Sequence, residues 1–413
     1  MNRRRLLLPL LLLALAAAPS PADAAGDAAE GGGARLLAKL SARTGTDLRF
    51  SRDGELLFTA GNDEIRVWDA GTLKPRCDPL RHKHLWALRL PDVGRNFLTA
   101  GDDVRVWDAG SGRQVGEPIT VPEVRSEELE QAQNVAVVSG DCWDVAPMPC
   151  AISHDGKRIA VTRIARSDGR PARWDVEVWD VEPRRVAFSL RHDLRPQWVA
   201  FSPDGERLVT AAPVDHRPHG GGEVFRLWDL STGNEVAPPI STKYNYSFVD
   251  AAPAVFSPDG SRLLLGDLYT FSVCDGQTGV TIAEGGDPGA RGRGISVGDL
   301  ITLAFSRDGR RVVSQNGPDF RVWETAGWKP LTEWRRGNAA ISGDGGRVAA
   351  CDYDLELKSN VVSVRDVDNG NELARMRMGQ DLTFALRPHG RRVACALEKG
   401  VVGVWELPER EAK

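Results

Sequence analysis

One unit recurs along the whole chain, and it limits the fold more than any other feature. Its clearest copy, at 198–230, reads W-V-A-F-S-P-D-G-E-R-L-V-T-A-A, then an insert, then V-F-R-L-W-D-L. The spacing predicts a short strand, a tight turn at 202–205, a second strand, and a third strand with apolar/polar alternation. Pro203 fixes φ in that turn, Asp204 caps the backbone, and Gly205 supplies a positive φ. The turn aspartates of successive copies are Asp53, Asp92, Asp155, Asp204, Asp259, Asp308 and Asp344, with His389 in the eighth. The matching third-strand residues are Trp68, Trp107, Trp179, Trp228, Cys274, Trp323, Arg365 and Trp405. Half of the 12 tryptophans therefore sit at one repeat position. A unit this short cannot bury its own apolar faces, so the copies must stack against one another.

The motifs carry a resemblance. The turn appears as F-S-R-D-G at 50–54 and 305–309, as F-S-P-D-G at 201–205 and 256–260, and as I-S-H-D-G at 152–156. The third strands end in Trp68-Asp69, Trp107-Asp108, Trp179-Asp180 and Trp228-Asp229, softened to Trp323-Glu324 and Trp405-Glu406. Over about residues 34–407 the chain resembles the WD-repeat family, in the form of a bacterial-type exported member. The resemblance implies an all-β propeller of four-stranded antiparallel blades. Eight copies predict eight blades; seven is the alternative count, should the degenerate copy at 338–366 be absorbed elsewhere. The resemblance also makes His192, Thr210 and Trp228 a structural hydrogen-bond network, with His82 or His84 serving the second copy. The repeat tryptophans and turn aspartates, including Asp53, Asp155, Asp204, Asp259 and Asp308, are structural on the same reading. The sequence departs from the family at Cys274 and Arg365, at the turns of copies two and seven, and in lacking the Gly-His dipeptide. Only eight residues follow Trp405, so the last copy lacks a fourth strand; Arg35 to Leu40 is expected to supply it and close the ring.

Insertions are one-sided. From turn aspartate to third-strand residue, four copies span 15 residues and two span 24. With strands lettered a to d from the centre outwards, the a–b and c–d turns stay short. Extra chain falls in b–c loops (about 163–174, 212–223, 353–360) and d–a loops (about 121–145, 243–253, 284–299), which share one rim of an antiparallel meander. Trp86, Trp198, Arg163, Arg166, Tyr244, Tyr246 and Phe248 are the binding candidates there, because aromatics and arginines anchor interfaces. Arg170 and Arg173 add to the same loop.

The N-terminus reads as a signal peptide over 1–24: Arg3, Arg4 and Arg5, an apolar stretch from Leu6 to Ala18, and the small-residue site Ala22-Asp23-Ala24. A flexible leader (25–33), the repeat domain (34–407) and a tail (408–413) follow. The expected location is periplasmic or extracellular, with no membrane span in the mature chain. Formal net charge is −4, and removing 1–24 leaves about −6, which gives no electrostatic footprint for nucleic acid. Cys142 and Cys150 lie near each other in the longest, irregular insert and are a candidate disulfide, with two free thiols as the alternative. Cys274, Cys351 and Cys395 sit within strand patterns and are expected buried and unpaired.

No catalytic motif stands out. His216-x-x-His219 has a metal spacing but lies in a Gly/Pro loop, so no metal or cofactor is expected. The resulting expectation is a non-catalytic scaffold that meets a protein partner. The alternative is a propeller enzyme of hydrolase, lactonase or quinoprotein type with its site at the central channel.

Overall fold

The computed structural model describes residues 33–409 apart from 43–46, 62, 92–93, 121–148, 166–172, 215–222, 242–253, 267–269, 287–300, 317–318, 380–381 and 399. Its strands form eight antiparallel sheets in a ring. The inner strands are Asp47–Phe50, Ala87–Arg89, Cys150–Ile152, Trp198–Phe201, Ala254–Phe256, Ile301–Phe305, Asn338–Ile341 and Phe384–Leu386, and they open blades 1 to 8. Blades 1 to 7 run inner to outer in chain order. In blade 8 the outer strand is Arg35–Ser41, which pairs with Val401–Glu406. The N-terminal strand thus closes the ring and covers an edge that would otherwise stay unpaired.

Alternation explains the stacking. Leu57 and Phe58 are adjacent in strand b of blade 1, and both are buried. Leu57 packs towards blade 8 and Phe58 towards blade 2. The same division repeats round the ring. Among the described residues the buried apolar side chains fall into eight clusters, one per junction of successive blades, including the junction of blades 8 and 1. Each blade's core is therefore shared with its neighbours, and no blade could bury its faces alone.

The a–b turn is built from side chains. In blade 1 the Ser51 hydroxyl donates to Asp53 Oδ1 (2.5 Å), the Glu55 N–H donates to the same oxygen (2.9 Å), and the Leu56 N–H donates to Ser51 Oγ (2.9 Å). Gly54 has φ 75°, which a Cβ would strain. Blades 3 to 7 repeat these bonds through Ser153/Asp155, Ser202/Asp204, Ser257/Asp259, Ser306/Asp308 and Ser342/Asp344. The copy-seven turn, expected to be altered, is thus made like the others; the aspartate of copy two, Asp92, lies outside the described residues. At the c–d turn the aspartate after the tryptophan takes over. Asp69 Oδ1 accepts from the N–H groups of Gly71 and Thr72, and these bonds hold its carboxyl below the usual range.

Long side chains at the start of strand b tie several blades to the next on this turn face, while Arg158 and Arg207 pair with Asp180 and Asp229 of their own blades. Strand b begins with arginine in six blades, as Arg158, Arg207, Arg262, Arg311, Arg347 and Arg392, with Asn96 in blade 2 and Leu56 in blade 1. Arg311 donates to the Gly345 carbonyl of blade 7 (2.7 Å), Arg347 to those of Gly390 and Pro408 beyond it, and Arg392 to those of Ala70 and Gly71 in blade 1. Asn96 reaches the Gly156 carbonyl of blade 3 (3.3 Å).

One expectation needs correction. Cys150 does not lie in an irregular insert. It heads the inner strand of blade 3 as a buried free thiol, since its side chain fits the alternation of that strand. Cys142 lies outside the described residues. Cys274, Cys351 and Cys395 are buried free thiols.

Candidate interaction face

Strand direction reverses at each turn, so the b–c and d–a connections open on the face opposite the a–b and c–d turns. Buried polar networks anchor this face. His82 leaves the outer strand of blade 1 and enters blade 2. Its Nδ1 lies 2.7 Å from Thr99 Oγ1, its Nε2 lies 3.0 Å from Asp103 Oδ1, and the Trp107 indole donates to Thr99 Oγ1 at 2.7 Å. The directions are self-consistent: the Trp107 N–H donates to the Thr99 oxygen, the Thr99 hydroxyl donates to Nδ1, and the Nε2 proton faces Asp103. Burial lowers the His82 pKa, and Arg105 adds to the effect. His192 repeats the arrangement from blade 3 into blade 4. Its Nε2 meets Thr210 Oγ1 (2.8 Å), which also accepts from the Trp228 indole (3.0 Å), while its Nδ1 meets the Leu190 carbonyl (3.0 Å). Burial pushes His192 down to about 4, so it is neutral. Trp68 and Trp323 donate to Thr59 and Ser314 in the same way.

The connection between blades 1 and 2 is rigidly held. The Leu85 N–H donates to Asp63 Oδ1 (3.1 Å), and His84 Nδ1 lies 2.5 Å from Asp102 Oδ1. Asp63 and His84 both have positive φ, 62° and 50°, a conformation that persists only where surrounding bonds enforce it. Trp86 immediately precedes the inner strand, is half-buried, and donates its indole N–H to the Gly101 carbonyl (3.2 Å). Trp198 opens its strand and donates to the Ala254 carbonyl of blade 5 (2.9 Å). The structure therefore places both tryptophans at the face and also commits their polar atoms to the ring. Arg163 is paired with Glu177 (2.8 Å). Arg166, Arg170, Tyr244, Tyr246 and Phe248 lie outside the described residues, as does the side chain of Arg173. His216 and His219 lie outside them too.

Sequence reasoning missed a set of exposed apolar side chains. Tyr353 (52% exposed) and Leu355 (82%) flank the tip of the b–c hairpin of blade 7, and Leu382 (48%) lies in the connection from blade 7 to blade 8. The hairpin is ordered beneath them. Asp354 Oδ1 accepts from the N–H groups of Glu356 and Leu357, and Arg375 donates to Asp354 Oδ2 at 2.7 Å. The available signal was the insert at 353–360, whose apolar residues have no partner strand in the repeat pattern.

The comparisons agree with this architecture. The family model described as "WD domain, G-beta repeat" matches residues 36–69. An uncharacterized WD repeat-containing protein of Synechocystis sp. is 29% identical over 116 residues, a stretch covering 28% of this chain and only 28% of that relative. Among solved structures, the computationally designed Ika8 protein matches 90% of this chain and 98% of its own, with a TM-score of 0.60 at 18% identity. The C-terminal WD40 domain of Sif2 matches 91% and 99%, with a TM-score of 0.61 at 14% identity. At these identities the two structures speak for the fold alone.

Proposed function

The chain is a WD-repeat β-propeller, and we propose that it works as a non-catalytic scaffold, exported from the cytoplasm, that presents its loop-bearing face to a protein partner. One observation carries the reading: among the described residues, four of the eight exposed large hydrophobics, Val214, Tyr353, Leu355 and Leu382, sit at b–c or d–a connections, on the face where every long insert begins and ends. Exposed apolar groups on an ordered frame favour association, and a closed ring keeps them in fixed relation. The turn face is occupied by capped turns and inter-blade arginines, which leaves less room to vary shape.

The test starts with capture of a partner by proximity labelling in the native compartment. Tyr246, Tyr353 and Leu355 are then changed to serine as one set, and Arg307 and Arg310 to alanine as another. Loss of the captured partner with the first set alone is expected; loss with the second set alone overturns the reading. Deleting residues 1–24 should hold the protein in the cytoplasm, and unchanged export without them removes that part of the proposal. A quinone or metal retained through purification would favour the channel-site enzyme instead.

A further inference from the structure

Among the described residues, the exposed large hydrophobics that are not on the loop-bearing face are Val186, Val280, Ile282 and Leu331, and all four lie at the outer edges of their blades. Val280 and Ile282 belong to blade 5 and Leu331 to the adjacent blade 6, so three of the four gather on one part of the circumference.

The outer strands differ in how they are guarded. A strand with no neighbour on one side presents unpaired N–H and C=O groups, and proline, lysine, arginine or a short length keeps other chains away. In blades 1, 2, 4 and 6 strand d is cut to two-residue pieces beside or including Pro79, Pro118, Pro239 or Pro330. In blades 3, 7 and 8 it is longer and carries cations, at Arg185 and Arg191, at Arg375 and Arg377, and at Arg35 and Lys39. Blade 5 has neither device. Thr281–Gly286 runs for six residues without proline, lysine or arginine, and among the described residues no strand lies beyond it. Val280 is 61% exposed and Ile282 55%. The ladder skips from Thr281, opposite Cys274, to Ala283, opposite Val273, so Ile282 has no partner in strand c.

Val280, Thr281, Ile282 and Ala283 form an uncharged and mostly β-branched run. It offers nothing to a charged partner and is complementary to a run of its own kind. A second copy of the chain supplies one. Identical antiparallel strands pair about a two-fold axis, and such an arrangement closes at two chains. An axis centred on Ile282 sets each Glu284 opposite a Val280 and away from the other Glu284, so like charges do not meet.

We propose that the outer edge of blade 5 is a dimer interface. The strand of one copy pairs antiparallel with the same strand of a second copy, joins the two blades into one continuous sheet, and covers Val280 and Ile282. The surface is separate from the loop-bearing face, so the two can be tested independently.

Sedimentation equilibrium of the whole protein between about 1 and 200 µM tests it. A monomer–dimer equilibrium with a Kd of about 100 µM or tighter is expected. Ile282→Lys puts a charge on the edge at an exposed position; it should keep the melting temperature and weaken the dimer at least about tenfold. Val280→Lys should act in the same direction and provides the same reading if Ile282→Lys folds poorly. Val186→Lys, the same change on the outer strand of blade 3, should leave the dimer intact. A monomer throughout that range, an open-ended assembly, a dimer unchanged by Ile282→Lys and by Val280→Lys, or a dimer lost to Val186→Lys overturns the proposal.

Discussion

The Trp179 indole donates to the Glu177 carboxylate at 3.0 Å, two residues back on its own strand. In blades 1, 2, 4 and 6 the corresponding indole donates to a hydroxyl on strand b, at Thr59, Thr99, Thr210 or Ser314. Strand b of blade 3 has Val161 at that register, directly opposite Glu177. Valine offers no acceptor, so Trp179 is left half-buried and turns to the carboxylate that also holds Arg163. Glu177→Ala removes the partner of both groups and should destabilise the protein by about 1–2 kcal/mol. Urea unfolding of Glu177→Ala beside Glu177→Gln checks it; equal stability of all three proteins would contradict the assignment.

Acid should weaken the ring before its carboxylates titrate. His192 is neutral in the fold and titrates at about 4, against 6.5 for an unperturbed imidazole. Between these values the unfolded chain binds more protons than the folded one. The stabilisation is therefore complete above pH 6.5 and falls as pH drops towards 4, by up to about 1.4 kcal/mol per pH unit and roughly 3 kcal/mol in all. His82, also shifted down by burial, acts in the same direction. Exposed His84, raised by its bond to Asp102, acts oppositely. Unfolding free energies at pH 7, 6, 5 and 4.5 should decline in the wild type and decline less in His192→Gln.

Arg347 is 3% exposed and donates to the carbonyls of Gly390 and Pro408. Arg347→Leu keeps the apolar stem but orphans both acceptors. It should cost about 2–4 kcal/mol, whereas Arg185→Leu, an exposed partner of Asp180, should cost under about 1 kcal/mol. Thermal unfolding of the two variants side by side measures the contrast, and similar melting temperatures would refute it.

Gly403 lies under the ring of Trp405. A Cβ there would come within 2.3 Å of the indole and 3.0 Å of Leu397. Gly403→Ala should destabilise the protein by about 2–3 kcal/mol through overpacking. Gly403→Ala combined with Trp405→Leu should cost less than the sum of the single changes, because the smaller side chain leaves room. Strict additivity in that cycle would show that the two residues do not compete for space.

Some of this was legible in the residues themselves. The Ser-x-Asp-Gly turns, the aspartate-capped c–d turns and the strand alternation are bonds and contacts between residues at most about five positions apart, so their residue types recur wherever the structure recurs. Eight such units, and an apolar strand at Arg35 to Leu40 with no partner of its own, were enough to give the blade number and the closing strand. The His192, Thr210 and Trp228 arrangement was implied by the resemblance to the WD-repeat family, whose usual histidine position His192 matches.

The other features depend on what lies across a blade junction, and one chain's local pattern does not carry that. Cys150 looked like part of an insert until strand b of blade 3 paired with it. Leu56 reads as one more apolar strand residue, and only alignment of the blades shows arginine at its position in six of the others. Arg347 reads as a charged surface residue, yet its acceptors lie 43 and 61 positions away and bury it. Tyr353 and Leu355 read as part of the 353–360 insert, and only the hairpin formed there shows that both are exposed. The sequence by itself determined the unit and its number, because turn chemistry and alternation act within a few residues. The tertiary structure decided which side chains face a neighbouring blade and which face solvent, because that is set by the packing of surfaces brought together only when the ring closes.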